Sequence, residues 1–127
     1  MSISVYECTF SKGGGDLKVS FFQATNNAYS YALKKRQFGE SFEVVEPDGF
    51  VDQNDNLNDE YEIAELGMDG GTLLVGYIAF PEPGRTAGFA VPFEVTQSAN
   101  SLLVRTHPVK PADALKPLPF VIKLRAV

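Results

Sequence analysis

The chain has 127 residues, of which 44% are hydrophobic and 12% aromatic, with a formal net charge of −5. This length suits one domain, and the apolar content excludes an intrinsically disordered chain, because disordered chains lack aromatic and β-branched residues. The negative charge disfavours binding to nucleic acid or to an anionic membrane through the overall electrostatic field.

The cysteine content and the hydropathy pattern indicate the compartment. Cys8 is the only cysteine, so an intramolecular disulfide is impossible. The N-terminus does not have the pattern of a signal peptide, and no apolar run approaches the roughly 18 residues of a membrane helix. We therefore expect a cytoplasmic protein without membrane contact.

The N-terminal part of the chain alternates apolar and polar side chains with a period of two, which predicts β-strands. One strand is predicted at 4–10 and a second at 17–24, and the glycine turn at 12–16 predicts that they form a hairpin. Residues 28–37 are predicted as a third strand, with a helix as the open alternative.

The central part of the chain contains three further predicted elements. Residues 41–46 are predicted as a strand that ends in a turn at 46–49, and residues 60–66 fit either a strand or a short helix. The run 72–80 is apolar on both faces, so it is predicted to be a central strand covered on each side.

The C-terminal part of the chain is rich in proline. The predicted strand at 87–95 contains Pro92, which has no backbone N–H, so we expect this strand at a sheet edge or with a bulge. The remaining predicted elements are a strand at 101–106, a loop at 107–119 with at most one helical turn at 112–115, and a strand at 120–127.

These segments amount to eight or nine short strands with at most one short helix. They predict an all-β fold, either an antiparallel β-sandwich or a closed β-barrel. We expect residues 1–127 to form a single β domain, since no segment has the composition of a linker.

Residues 51–62 form an oxygen-rich run that invites a comparison with calcium sites. Its side chains at alternate positions match the spacing of the first ligands in an EF-hand loop: Asp52, Asn54, Asn56 and Asn58. The match then fails, because Leu57 stands where that loop requires glycine and Ile63 where it requires glutamate. Calcium is therefore one hypothesis and a solvated acidic loop the other, and no other cofactor is predicted.

Residues 29–38 combine aromatic and basic side chains, a pattern typical of surfaces that bind single-stranded nucleic acid. The candidate contacts are Tyr29, Tyr31, Lys34, Lys35, Arg36 and Phe38. In the alternative interpretation both tyrosines pack inward and the basic residues pair with carboxylates of the fold. The overall acidity argues against nucleic acid as the partner.

Conventional catalytic residues are scarce, so we do not expect an enzyme. His107 is the only histidine and opens the predicted proline-rich loop, while Cys8 shares a predicted core face with Tyr6. The glycine-rich segments at 12–16 and 67–71 lack the phosphate-loop signature. No two of the sixteen carboxylates are singled out as an acid–base pair.

Charge is distributed unevenly along the chain. Residues 38–70 contain eleven carboxylates and no basic residue, whereas residues 1–37 and 100–127 are each net basic. Either the ends fold beside the middle and pair with it, or opposite patches join separate molecules.

Together these features predict a non-catalytic binding or assembly module whose partner is a second copy or another protein. Self-association is expected through strand edges or through opposite charge patches. Two alternatives stay open: a β-barrel that binds a small apolar ligand in an aromatic-lined pocket, and single-stranded nucleic-acid binding through the residues named above.

Overall fold

The computed structural model describes residues 3–37, 39–52, 59–63 and 70–127. Within these ranges nine strands form two packed sheets, with one turn of 3-10 helix at Pro111–Asp113. The strands are β1 (Ser4–Phe10), β2 (Leu17–Phe21), β3 (Asn27–Gln37), β4 (Glu43–Val51), β5 (Asp59–Ile63), β6 (Gly71–Pro81), β7 (Phe89–Gln97), β8 (Asn100–Val109) and β9 (Leu118–Ala126).

The sheets have five and four strands, in the orders β1-β9-β6-β3-β4 and β5-β2-β7-β8. Neighbouring strands are antiparallel, except that β1 and β9 are parallel. No described strand of one sheet is hydrogen-bonded to a strand of the other. The predicted all-β sandwich is therefore confirmed, and the closed-barrel alternative is wrong.

Alternation of side chains builds the core between the sheets. Because successive residues of a strand point to opposite faces, every second apolar side chain enters the interior. Leu17, Val19 and Phe21 of β2 are buried, as are Phe120 and Ile122 of β9. Both strands thus show the alternation of buried and outward side chains that is expected where one face of a sheet covers a core.

The predicted hairpin of the first two strands is wrong. β1 pairs with β9 and β2 pairs with β5 and β7, so the glycine segment crosses from one sheet to the other. The side chain of Gln97 holds this crossing: its Oε1 accepts from Ser11 N at 3.0 Å and its Nε2 donates to the carbonyls of Ser11 and Gly15. Gly14 lies against Gln97 with no room for a Cβ.

The turn predicted at 46–49 is also wrong, because β4 continues through it to Val51. The pairing of β3 with β4 shifts register on either side of Leu33, and this irregularity accommodates Pro47 within an edge strand. Gly49 packs on the Tyr31 ring, where a Cβ would overlap the ring atoms. Sheet pairing and this close contact outweigh the local turn preference.

Pro92 does not place its strand at an edge, since β7 lies between β2 and β8, and the irregularity of β7 falls at Val95 and Thr96 instead. At Pro92 the carbonyl still accepts from Phe22 N, at 3.0 Å. The donor that proline lacks is replaced by the Tyr29 hydroxyl, which donates to the Phe22 carbonyl at 2.6 Å. A side chain of the opposite sheet thus permits proline inside this one.

Three further segments refine the prediction. Residues 28–37 are strand, and the described part of 60–66 is strand β5. β6 is central but not covered on both sides, because Leu74 and Ile78 on its outward face are only half-buried. β8 continues through Pro108 to Val109, so His107 lies in an edge strand and not in a loop.

Candidate binding surface

The two sheets meet along two open seams, where an edge strand of one sheet faces an edge strand of the other. β1 faces β8 at the first seam and β4 faces β5 at the second. Each seam is occupied by a network of tyrosine hydroxyls. These side-chain contacts join the sheets at places where their backbones are not paired.

At the first seam the imidazole of His107 lies between two tyrosines. Nδ1 is 2.5 Å from the Tyr6 hydroxyl and Nε2 is 3.0 Å from the Tyr77 hydroxyl. Burial lowers the pKa of His107 to about 4, so the ring is neutral at pH 7. Phe93 and Phe120 stack beside this group with ring centroids 5.0 Å apart. The histidine is part of the packed interior.

At the second seam the hydroxyl of Tyr31 donates to the carboxylate of Asp59 at 2.6 Å and lies 2.5 Å from the hydroxyl of Tyr61. Burial, the hydrogen bond that Tyr31 donates to Asp59 and the hydrogen bond it shares with Tyr61 raise the pKa of Tyr31. Tyr31 also stacks on Phe21, with ring centroids 4.2 Å apart. These contacts bind β3 to β5 across the seam.

The outward side of the five-stranded sheet, here named the five-stranded face, carries an apolar groove of about 600 Å³. Its floor consists of small residues, because Gly76 of β6 pairs with both Ala32 and Pro119. No atom lies within 4 Å of the position that a Gly76 Cβ would take, so the floor is open to solvent. Phe50 and Ile78 form walls of this groove.

Exposed apolar side chains extend the groove across the sheet. Phe50 is 50% exposed and contacts Phe80 with ring centroids 6.2 Å apart. Nearer the other edge, Val121 pairs with both Val5 and Leu74, and Val5 is 48% exposed. The apolar band runs diagonally across the sheet from Val5 on β1 to Phe50 on β4 and passes Ala32 on β3, where Lys34 is the residue that pairs with Leu74.

One end of the five-stranded face is basic. Thr72 of β6 pairs with Lys123 on one side and Arg36 on the other, which brings these side chains into one row. Arg125 lies two residues beyond Lys123 and points to the same side. A cleft of about 750 Å³ is lined by these three basic residues and by two carboxylates, Glu7 and Glu40, and is named the basic cleft. None of the three cations is within 4.0 Å of a described carboxylate.

The outward side of the four-stranded sheet, named the four-stranded face, has the opposite charge. Glu60 and Glu62 point outward from β5, and Glu94 points outward from β7. Lys18 is the basic residue beside them, 3.4 Å from Glu60, and both side chains of this ion pair are exposed. The two faces of the sandwich thus differ in charge.

The predicted nucleic-acid residues do not share one surface. Tyr29 and Tyr31 are in the core, so their ring faces are covered, while Lys34 and Arg36 lie on the five-stranded face. Lys35 is half-buried at an inward position near the end of β3. Phe38 lies outside the described residues. Nucleic-acid binding stays a prediction, now limited to the basic side chains.

The predicted calcium ligands are only partly described. Asp52 follows β4 and is exposed, while Asn54, Asn56 and Asn58 lie outside the described residues. Within the described ranges no three His, Cys, Asp or Glu side chains are grouped as a metal site. Cys8 is buried, and this burial raises the pKa of its thiol to about 11.

Comparison with known proteins found no matching family model, no similar curated protein and no similar solved structure. In the described ranges, no helix reaches the length and apolarity required to cross a membrane.

Two parts of this surface were missed by the sequence prediction. Lys123 falls in the strand predicted at 120–127, but the contribution of Arg36 to the same cleft depends on both strands flanking β6. Phe50 follows the turn predicted at 46–49 and belongs to none of the predicted strands. Its outward position became visible only with the continuation of β4.

Proposed function

We propose that the protein is a non-catalytic assembly module that self-associates through the five-stranded face. The observation that carries this proposal is the apolar band with its groove, which leaves Phe50, Leu74 and Val5 partly or largely open to solvent. Large exposed apolar patches on globular proteins mark interaction sites. The basic cleft at the end of the band adds a polar rim, as interfaces usually have.

The buried polar groups favour a structural over a catalytic role. Every buried side-chain nitrogen and oxygen of the described residues has a hydrogen-bond partner. His107 and the seam tyrosines are bonded to one another, so they stabilise the sandwich where the strands do not pair. The donors and acceptors of these side chains are already used within the fold, so they are not arranged to bind a substrate.

Association through a face is favoured over association through strand edges. Both edge strands of the four-stranded sheet carry an ionisable residue at an inward position, Asp59 opposite Phe21 and Arg105 opposite Phe93. Inward charges on edge strands are a known means of preventing strand addition. The tyrosine networks also occupy the space between the edge strands of the two sheets.

The test replaces two side chains of the apolar band, Phe50 on the edge strand β4 and Leu74 on the central strand β6. The double variant Phe50→Ser with Leu74→Ser is expected to remain folded, because both side chains point outward. Multi-angle light scattering is expected to show a species larger than the monomer for the native protein and to show its loss in the variant. Leu115→Asn is the control, since Leu115 is exposed in the β8–β9 connection and has a positive φ of 66° that asparagine tolerates. Association that survives the double variant would place the contact elsewhere.

A further inference from the structure

We propose that the five-stranded face of one molecule binds the four-stranded face of a second copy, so that assembly is head-to-tail. This inference rests on the proposed self-association and names the partner surface. It is carried by the charges: Arg36, Lys123 and Arg125 line the basic cleft on one side of the sandwich, and Glu60, Glu62 and Glu94 lie on the other side.

The spacing of the charges matches. Lys123 and Arg125 are two residues apart on β9 and point to the same side, so their backbones are about 7 Å apart. Glu60 and Glu62 are two residues apart on β5 and are separated in the same way. Two cations of one molecule can therefore face two carboxylates of the next without a change in either backbone.

The charges on both sides have only weak contacts within the molecule. The three cations of the basic cleft lack a described carboxylate within ion-pair distance, although Glu7 lies opposite Lys123 in the strand pair and the Arg36 guanidinium lies 4.5 Å from the centre of the Phe42 ring. On the four-stranded face Lys18 is shared by two acidic residues, because it is bonded to Glu60 and lies opposite Glu62 in the strand pair. Its side chain is 41% exposed, so that pair is weak and exchangeable.

Apolar side chains accompany the charges on both surfaces. Val121 and Leu74 lie in the row next to Lys123 and Thr72 on the five-stranded face. On the four-stranded face Val104 pairs with Glu94 and is 54% exposed. Charge complementarity would orient the contact, and removal of these apolar surfaces from water would stabilise it.

A contact between two different surfaces has a consequence for assembly size. Each molecule keeps one free five-stranded face or one free four-stranded face after a single contact, so further copies can add. Head-to-tail contacts of this kind produce rings or open chains, whereas a contact of one face with itself stops at the dimer. The contact should weaken with salt, since exposed charges are screened.

The experiment uses two full-length variants that each lack one surface. Lys123→Gln with Arg125→Gln removes the basic side, and Glu60→Gln with Glu62→Gln removes the acidic side. Each variant alone is expected to be monomeric in sedimentation velocity at concentrations where the native protein assembles. Their equimolar mixture is expected to form a one-to-one complex that grows no further, because only one pair of native surfaces remains. Lys110→Gln with Lys116→Gln is the control for the loss of two positive charges outside the cleft, and should assemble like the native protein.

The outcomes separate the two proposals. If the native protein assembles but the glutamine variants assemble equally well, the head-to-tail contact is wrong while self-association stands. If either variant alone still forms a dimer, or the mixture forms no complex, the contact is between like faces or lies elsewhere, and the inference is again wrong. A native protein that remains monomeric throughout would overturn the proposed function itself.

Discussion

The hydroxyl of Tyr6 lies 2.5 Å from Nδ1 of His107 and joins the edges of the two sheets where no backbone pairing occurs. Tyr77 occupies the other ring nitrogen. The opposite seam is joined in the same manner by Tyr31 and Tyr61. Side-chain hydrogen bonds thus stabilise both open sides of the sandwich, and this arrangement predicts how its stability responds to pH.

Acid is expected to destabilise the fold through His107. Its folded pKa is about 4 whereas the unfolded value is 6.5, so the unfolded chain binds more protons between these limits. The contribution of neutral, buried His107 to the free energy of unfolding is fully present above pH 6.5. It is lost as pH falls towards 4, and the loss is at most about 3 kcal/mol. Urea unfolding of the native protein and of His107→Phe at several pH values measures it.

The variant separates this effect from the titration of the carboxylates. His107→Phe should be less stable at pH 7, because two tyrosine hydroxyls lose their partner, but its stability should depend less on pH between 6.5 and 4. Identical pH dependence in both proteins would show that His107 does not titrate as its burial requires.

The replacement of a backbone donor by Tyr29 can be tested with a double-mutant cycle. Tyr29→Phe leaves the Phe22 carbonyl without its donor at 2.6 Å and is expected to cost about 1–3 kcal/mol of unfolding free energy. In a Pro92→Ala background the restored N–H can reach this carbonyl, so the same substitution should cost less. Equal costs in the two backgrounds would mean that the hydroxyl does not substitute for the missing N–H.

Two glycines of the five-stranded sheet should respond differently to alanine. At Gly49 a Cβ would overlap the Tyr31 ring, so Gly49→Ala is expected to lower the melting temperature markedly. At Gly76 no atom lies within 4 Å of the added Cβ, so Gly76→Ala should leave stability unchanged or slightly raise it. A thermal melt of both variants that shows equal losses would contradict the packing of β4 on Tyr31.

The alternation of side chains predicted the all-β class and most inward faces, because burial of every second residue is a local property of a strand. The order of the strands was not predictable in this way. β1 pairs with β9, which is almost the whole chain away, so the glycine segment after β1 resembled a hairpin turn. Only the pairing of strands that are far apart in the sequence distinguishes a hairpin from a crossing between the two sheets.

The candidate surface was predictable in its charge but not in its geometry. The uneven charge along the chain predicted oppositely charged patches, but the acidic residues of the central segment lie on several elements. Glu60 and Glu62 lie on the face opposite the basic cleft only because β5 belongs to the four-stranded sheet. Arg36 and Lys123 come from the two strands that flank β6. A cleft lined by four strands has no signature in the sequence of any one of them.

Sedimentation velocity of the native protein over a range from micromolar to millimolar concentration tests the central claim most directly. If the five-stranded face binds the four-stranded face of a second copy, the weight-average sedimentation coefficient will rise with concentration beyond the value of a dimer, and it will fall again when salt is added. A coefficient that stays at the monomer value at every concentration and salt level would contradict self-association.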